Sequence, residues 1–449
     1  MTMRDARGVP TSATRSASLD GYEVALRRLQ GYRGDPIAEI DAVLAEDPTF
    51  VQGHIFRASA LVMVWEASVL PQIEDGLARL AELGNTANDR ERRITAAVRS
   101  WADGDWEAMR SRLDACLVDH PRDALALQLA HIADFIHGDR EMLRARVARV
   151  LPHWSRETPG YGFVLGMYAF GLEECGDYAH AEDTGRFALE IETEDGWAHH
   201  AVTHVMEMQA RQAEGIAWME SREAQWAQDD NTFAFHNWWH TALFHLDQGH
   251  PERALAIYDR HVRPQPSEVQ VEMVDAAALL WRLSLQRVDV GNRWDELATA
   301  YETTDQGGFY AFNDLHAMMA HVGSRRTASA ARLLAAVERA QAEGGVTNAR
   351  MTREVGLPLV RGLEAFGRQS YAEVVDLLLP LRFRAHAFGG SHAQRDIIHR
   401  TLLEAAIRAG HGRLALALAN ERTALKPHCP FSWQQRQRAT TAAPADGVA

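Results

Sequence analysis

Residues 176–191 read GDYAHAEDTGRFALEI, and this short stretch decides the fold. Gly followed by Asp ends one helix and starts the next, because Gly enters the left-handed conformation that closes a helix while Asp accepts from the first free amides of its successor. Tyr178, Ala181 and Ala188 then recur at helical spacing, with small side chains where a neighbouring helix must approach closely. The same junction returns in GDPIAEIDAVLAEDP at Gly34, GDWEAMRSRLDACLVDHP at Gly104, GDREMLRARVARVLP at Gly138 and GHPERALAIYDRHVRP at Gly249. Gly34, Gly104, Gly176 and Gly249 lie 70, 72 and 73 residues apart, and Gly138 sits between two of them. A repeat of about 34–38 residues is that of tetratricopeptide-like helix-turn-helix units. Pro48, Pro121, Pro264 and Pro427 follow helical runs, where Pro stops a helix. Period-two alternation is scarce, so the expected fold is an all-α repeat solenoid curled around an interior polar pocket. Its expected organisation is a mobile N-terminal tail over 1–20, a single repeat domain over 21–433 and a mobile C-terminal tail over 434–449.

Composition narrows the function. The chain has 449 residues, 46% hydrophobic and 24% charged, the balance of a folded globular protein. Lys and Arg number 47 against 61 Asp and Glu, giving a net charge of −14. A surface of that sign repels phosphate backbones and anionic lipid, so neither nucleic acid nor membrane is expected as a partner. Cys116, Cys175 and Cys429 are far apart, which excludes a disulfide framework and a CxxC zinc site and suits a reducing cytoplasm. The N-terminal stretch lacks the apolar core of a signal peptide, and no run approaches the length of a spanning helix.

Histidine and tryptophan concentrate in the middle of the chain. In DGWAHHAVTHVMEMQAR, Trp197, His200, His204, Glu207 and Arg211 step by 3, 4, 3 and 4 and share one helical stripe. In FHNWWHTALFHLDQG, His236 and His240 share a face four residues apart, flanked by Asn237 and Trp239. Two imidazole pairs on successive repeats suit one cavity, since equivalent helices of a solenoid line its inner surface. Metal ligation, acid–base chemistry and simple hydrogen-bonded packing all fit such spacing. HExxH is absent and Arg211 would oppose a cation, so no metal and no cofactor are expected.

Further along, FNDLHAMMAHVG offers Asp314 and His316, and FGGSHAQRDIIHR offers Arg395 and Asp396. Asp314 also suits a helix start, and Ser391 with Gln394 forms a capping box. Phosphate-loop, dinucleotide, GxSxG and EF-hand signatures are missing.

These segments, with GYGFVLGMYAFGLEECGDYAHAE, REVGLPLVRGLEAFG and ERTALKPHCP, resemble a bacterial member of the tetratricopeptide repeat protein 38 family from about residue 20 to about 428. The resemblance implies an all-helical repeat and characteristic polar positions at His200, His204, Glu207, His236, His240, Asp314, His316, Ser391, Gln394, Arg395 and Asp396. The expected function is binding of a small polar, anionic molecule with cofactor-independent hydrolysis, elimination or isomerisation. His204 and Glu207 are the proton-transfer candidates, with His200, His236 and His240 sharing that work. Arg211 and Arg395 hold the anion, Asp314, His316, Asn237 and Asp396 contribute contacts, and Trp197 and Trp239 wall the site. The alternatives are a scaffold binding a protein partner on its concave face and a metal-dependent enzyme using the HxxxH pairs.

Overall fold

Gly104 and Gly138 show why the chain turns where it does. Both take positive φ, at 77° and 63°, and the next residue caps the following helix: Asp105 accepts from the Ala108 amide at 2.9 Å and Asp139 from that of Met142 at 3.1 Å. The computed structural model describes residues 3–442. These divide into two compact units: the described residues up to Val202 with Glu223–Ala234 and Gly344–Thr347, and Thr203–Arg222 with Phe235–Glu343 and the described residues from Asn348 onward. The two units are interleaved in sequence within the span 21–433 expected as one repeat domain.

The first unit opens with a two-stranded antiparallel hairpin, β1 (Met3–Arg4) and β2 (Pro10–Thr11). Helices α1 (Ser16–Gly31), α2 (Pro36–Glu46), α3 (Val51–Val64), α4 (Leu70–Glu82), α5 (Asp89–Ala102) and α6 (Trp106–Asp119) follow. They continue with α7 (Ala124–Ile136), α8 (Arg140–Val150), α9 (Tyr161–Glu174), α10 (Tyr178–Ile191) and the first part of α11 (Gly196–Met208). Consecutive helices pack as hairpins, and α3 also packs on α7. Glycine permits the tightest approach, where an added Cβ at Gly171 on α9 would lie 2.5 Å from the Leu143 carbonyl oxygen on α8.

The second unit takes the end of α11 and α12 (Gln212–Ser221). After α13 (Glu223–Trp226), which belongs to the first unit, it holds α14 (Ala234–Asp247), α15 (Pro251–Ile257), α16 (Gln270–Leu285) and α17 (Arg293–Thr304). It continues through α18 (Ala311–Gly323), α19 (Thr327–Ala340), α20 (Thr347–Met351), α21 (Leu357–Gly367), α22 (Tyr371–Leu378), α23 (His392–Arg408), α24 (Gly412–Leu425) and α25 (Pro430–Ala442). Helix α16 packs on both α18 and α23, which places it at the centre of this unit's core.

Among the described residues, parts of both stretches expected as mobile tails take defined structure. Residues 3–15 are fastened by buried Arg7, whose guanidinium donates to Asp5 at 2.9 Å and Glu23 at 2.8 Å, and by the Ser12 amide bonded to Glu91. Helix α1 already begins at Ser16. At the other end α25 runs to Ala442, and residues 443–449 lie outside the described residues. No helix among the described residues is long and apolar enough to cross a membrane.

Candidate functional site

Helices α11 and α14 bring the second unit's histidines together. His204 and His240 are fully buried and their ring centroids lie 4.5 Å apart, while His236 and His240, one turn apart on α14, are 4.9 Å apart. Ring nitrogens of His204, His236 and His240 all lie within 4.8 Å of one another. Glu207, one turn beyond His204, points a carboxylate oxygen at His240 Nδ1, 3.6 Å away. Its other oxygen is 3.6 Å from the ammonium of Lys426, which is 3% exposed and has no hydrogen-bond acceptor.

Helix α16 supplies two groups from within an apolar run. Asp275 accepts a 2.6 Å hydrogen bond from His236 Nδ1, and this buried carboxylate fixes the ring's tautomer. Arg282 lies two turns further on, over the Trp239 ring at 5.1 Å, and donates only to carbonyls, those of Ala278 at 3.0 Å and Ala393 at 2.7 Å among them. Its Nε has no acceptor. Burial and the neighbouring Arg400 lower its pKa to about 10. Trp239 stacks on His236 at 5.4 Å. Burial, His204, His236, Arg282 and Lys426 together hold His240 well below the usual imidazole range, so it is a neutral acceptor at pH 7.

Asp396 is held in a charge-paired network. It accepts from Arg400 at 2.6 Å and from Arg422, and Arg400 reaches on to Asp247 at 2.6 Å. Burial would raise the Asp396 pKa, but these two guanidiniums hold it well below the carboxylate range. Ser391 and Gln394 form the expected capping box.

Several expected residues stand elsewhere. Arg211 is corrected: α11 ends at Met208, Ala210 turns left-handed at φ 57°, and Arg211 begins the next helix with its guanidinium on Glu214 and Gln209. It leaves the His204 stripe for that reason. Arg395 donates to the carbonyls of Gly389 and Gly390 in the loop before α23. His200 lies in the first unit's share of α11, packed on Phe170, Trp197 and Phe233. Trp197 belongs there too, stacked on Tyr32 at 5.7 Å, with its amide bonded to Asp195. Asn237 is buried on α14, where its carbonyl accepts from Thr241.

His316 is buried on α18, with Nδ1 on the Phe312 carbonyl and a pKa lowered to about 4 by burial. Asp314 does not cap α18, whose N-cap is Tyr310. It accepts from the Gly308 amide at 2.8 Å and lines a separate cavity of about 180 Å³ with Tyr301, His321 and Glu302. Burial raises its pKa to about 7. None of His204, Glu207, His236 and His240 lines that cavity.

Sequence reading missed Lys426, Arg282 and Asp275. The last two carried a signal, as the only charged residues in DAAALLWRLSL, seven apart and therefore on one face of the helix.

Among solved structures, the chain is similar to the human IFIT1 dimer with m7Gppp-AAAA, at 12% identity over 95% of this chain and 94% of that one, with a TM-score of 0.43. The human IFIT1 dimer with PPP-AAAA gives 13% over 94% and 100%, TM-score 0.42. The P58(IPK) TPR domain gives 11% over 79% and 98%, TM-score 0.23. No protein-family model matches the chain. The described residues form an all-α array in which consecutive helices pack as hairpins. The expected exclusion of nucleic acid is withdrawn beside these two IFIT1 dimers, which are complexes with m7Gppp-AAAA and PPP-AAAA, a property of those proteins. The net charge of −14 is a sum over the whole chain and excludes no local basic surface.

Proposed function

We propose that the second unit binds a small polar, anionic molecule at the centre formed by His204, Glu207, His236, His240, Arg282 and Lys426, and moves protons on it. The supporting observation is the pair of buried cations, Lys426 Nζ and Arg282 Nε, that lack hydrogen-bond acceptors. A buried donor left unmade costs roughly 1–3 kcal/mol, more when charged, and an anion seated between such donors offsets that cost. Glu207 then accepts a proton beside the bound anion, which suits hydrolysis, elimination or isomerisation. Enclosure favours this over an open binding groove, because His204 and His240 are fully buried.

Membership of the tetratricopeptide repeat protein 38 family is the finer family reading, resting on the segments quoted above. Three free cysteines support a reducing compartment such as the cytoplasm. An interaction scaffold for a protein partner is the second reading, favoured by the repeat architecture itself.

The test is untargeted mass spectrometry of a metabolite extract incubated with wild type, His204→Ala and Glu207→Gln. Consumption of a metabolite by wild type, spared by both folded variants, is expected. Equal consumption by all three removes the centre from the chemistry, and no consumption by any of them leaves the scaffold reading.

A further inference from the structure

The geometry points to a divalent late first-row metal site, zinc foremost, at His204, His236 and His240. This rests on the reading of the buried centre as functional, and deepens it by naming what the three imidazoles do. The argument begins with convergence. Three rings from two helices present nitrogens that all lie within 4.8 Å of one another, and two of them, His236 and His240, sit at i and i+4 on α14, a spacing that offers two nitrogens to one ion. Packing alone does not ask three imidazoles to meet in this way, since apolar side chains fill such a space without any polar atom to satisfy.

The second observation is the partner of His236. Its Nδ1 donates to buried Asp275 at 2.6 Å, and with the proton on Nδ1 the lone pair is on Nε2. A carboxylate that holds a histidine in this tautomer is the usual outer support of a metal-ligating imidazole, raising its basicity and fixing its plane. Asp275 serves no ion pair with an Arg or Lys among the described residues, so its charge is available to offset an ion.

Charge supplies the third. Glu207 lies 3.6 Å from His240 but is also paired with Lys426, so Asp275, hydrogen-bonded to His236, is the carboxylate that offsets charge at the imidazole cluster. Imidazole nitrogens select zinc, copper, nickel or iron over the hard cations that prefer oxygen. A zinc–nitrogen bond of about 2.0–2.1 Å sets ligand nitrogens about 3.3 Å apart in a tetrahedral site, so the rings need only small rotations to close on an ion. The sequence expectation of no metal is revised accordingly.

The experiment uses the full chain, expressed without a His tag and purified without chelators. Elemental analysis is expected to find close to one equivalent of zinc or a neighbouring metal. Cobalt(II) added to chelator-treated protein is expected to give the visible ligand-field bands of a low-coordinate nitrogen site. His236→Ala and His240→Ala lose the metal and the bands, and Asp275→Asn, which keeps the shape of the side chain, weakens zinc affinity by about 10–100-fold against a chromophoric competitor. A wild type that holds under a tenth of an equivalent and shows no cobalt bands overturns the site, as does metal retained undiminished by His236→Ala/His240→Ala. The metabolite assay separates the two proposals: metal bound without any metabolite processed leaves the metal site standing and defeats the proposed chemistry. A metabolite processed equally by chelator-treated protein does the reverse.

Discussion

Replacing Asp314 with Asn isolates one buried carboxylate and gives a pH-dependent stability gain of predictable sign. Burial raises the Asp314 pKa from 3.8 to about 7, and only the Gly308 amide opposes the shift. The folded chain therefore keeps the Asp314 proton through a window in which the unfolded chain has released it, so this group's stabilisation is complete below about pH 4 and is lost as pH rises toward 7. At about 1.4 kcal/mol per unit, the raised pKa corresponds to roughly 4 kcal/mol across the window. Asn keeps the side-chain shape and the acceptor for the Gly308 amide, 2.8 Å away, and carries no charge at any pH. Denaturant unfolding of wild type and Asp314→Asn between pH 4 and 8 is expected to show near parity at pH 4 and a variant more stable by up to about 4 kcal/mol at pH 8. The difference between the two proteins is the quantity to read, because buried histidines bend both curves the other way. A difference that stays within 1 kcal/mol at all pH values, or a variant less stable at pH 8, refutes the assignment of a buried, uncompensated carboxylate to this cavity.

The other predictions concern acid sensitivity, charge pairing and helix approach. His316, lowered to about 4 by burial, takes up a proton in the unfolded chain first, so its stabilisation is present above about pH 6.5 and lost as pH falls to 4. His316→Asn is expected to flatten the pH–stability curve there by about 3 kcal/mol, and an unchanged slope contradicts the burial. Asp396→Ala strands buried Arg422 and leaves buried Arg400 with Asp247 alone, and is expected to lower unfolding free energy by about 3–5 kcal/mol; a loss under 1 kcal/mol means the network is solvated. Gly171→Ala drives a Cβ to 2.5 Å from backbone of α8, whereas at Gly76 the nearest atom is 3.8 Å away. Denaturant midpoints are expected to show Gly171→Ala destabilised by about 1–3 kcal/mol and Gly76→Ala unchanged or stabilised by up to about 1 kcal/mol. Equal midpoints for the two variants are the contrary result.

What the sequence disclosed follows from which interactions are local. Junctions at Gly104, Gly138, Gly176 and Gly249 were legible because glycine marks a left-handed turn, and all four take positive φ. The equivalent turns at Arg287, Arg325 and Gln369, at φ 62°, 59° and 62°, carry no such mark, so repeats in the second half were harder to delimit. The capping box at Ser391 and Gln394 was legible for the same local reason. His204 with Glu207, and His236 with His240, were readable because helical spacing alone sets them on one face. Arg211 was misplaced because nothing in MEMQAR announces that Ala210 leaves the helix. Lys426 meets Glu207 from 219 positions away in sequence, a contact no periodicity encodes. Division into two units was hidden in the same way, since short excursions at 223–234 and 344–347 return to the first unit.

The most direct measurement of the central claim, that the second unit's buried centre receives a small anion, is native mass spectrometry of the full chain. Wild type and Lys426→Met are each passed through a metabolite extract and desalted, with circular dichroism confirming that both are helical. The account predicts that wild type carries one small anionic molecule near stoichiometry and that Lys426→Met carries at least tenfold less. Equal retention by both proteins, or none by wild type, contradicts it.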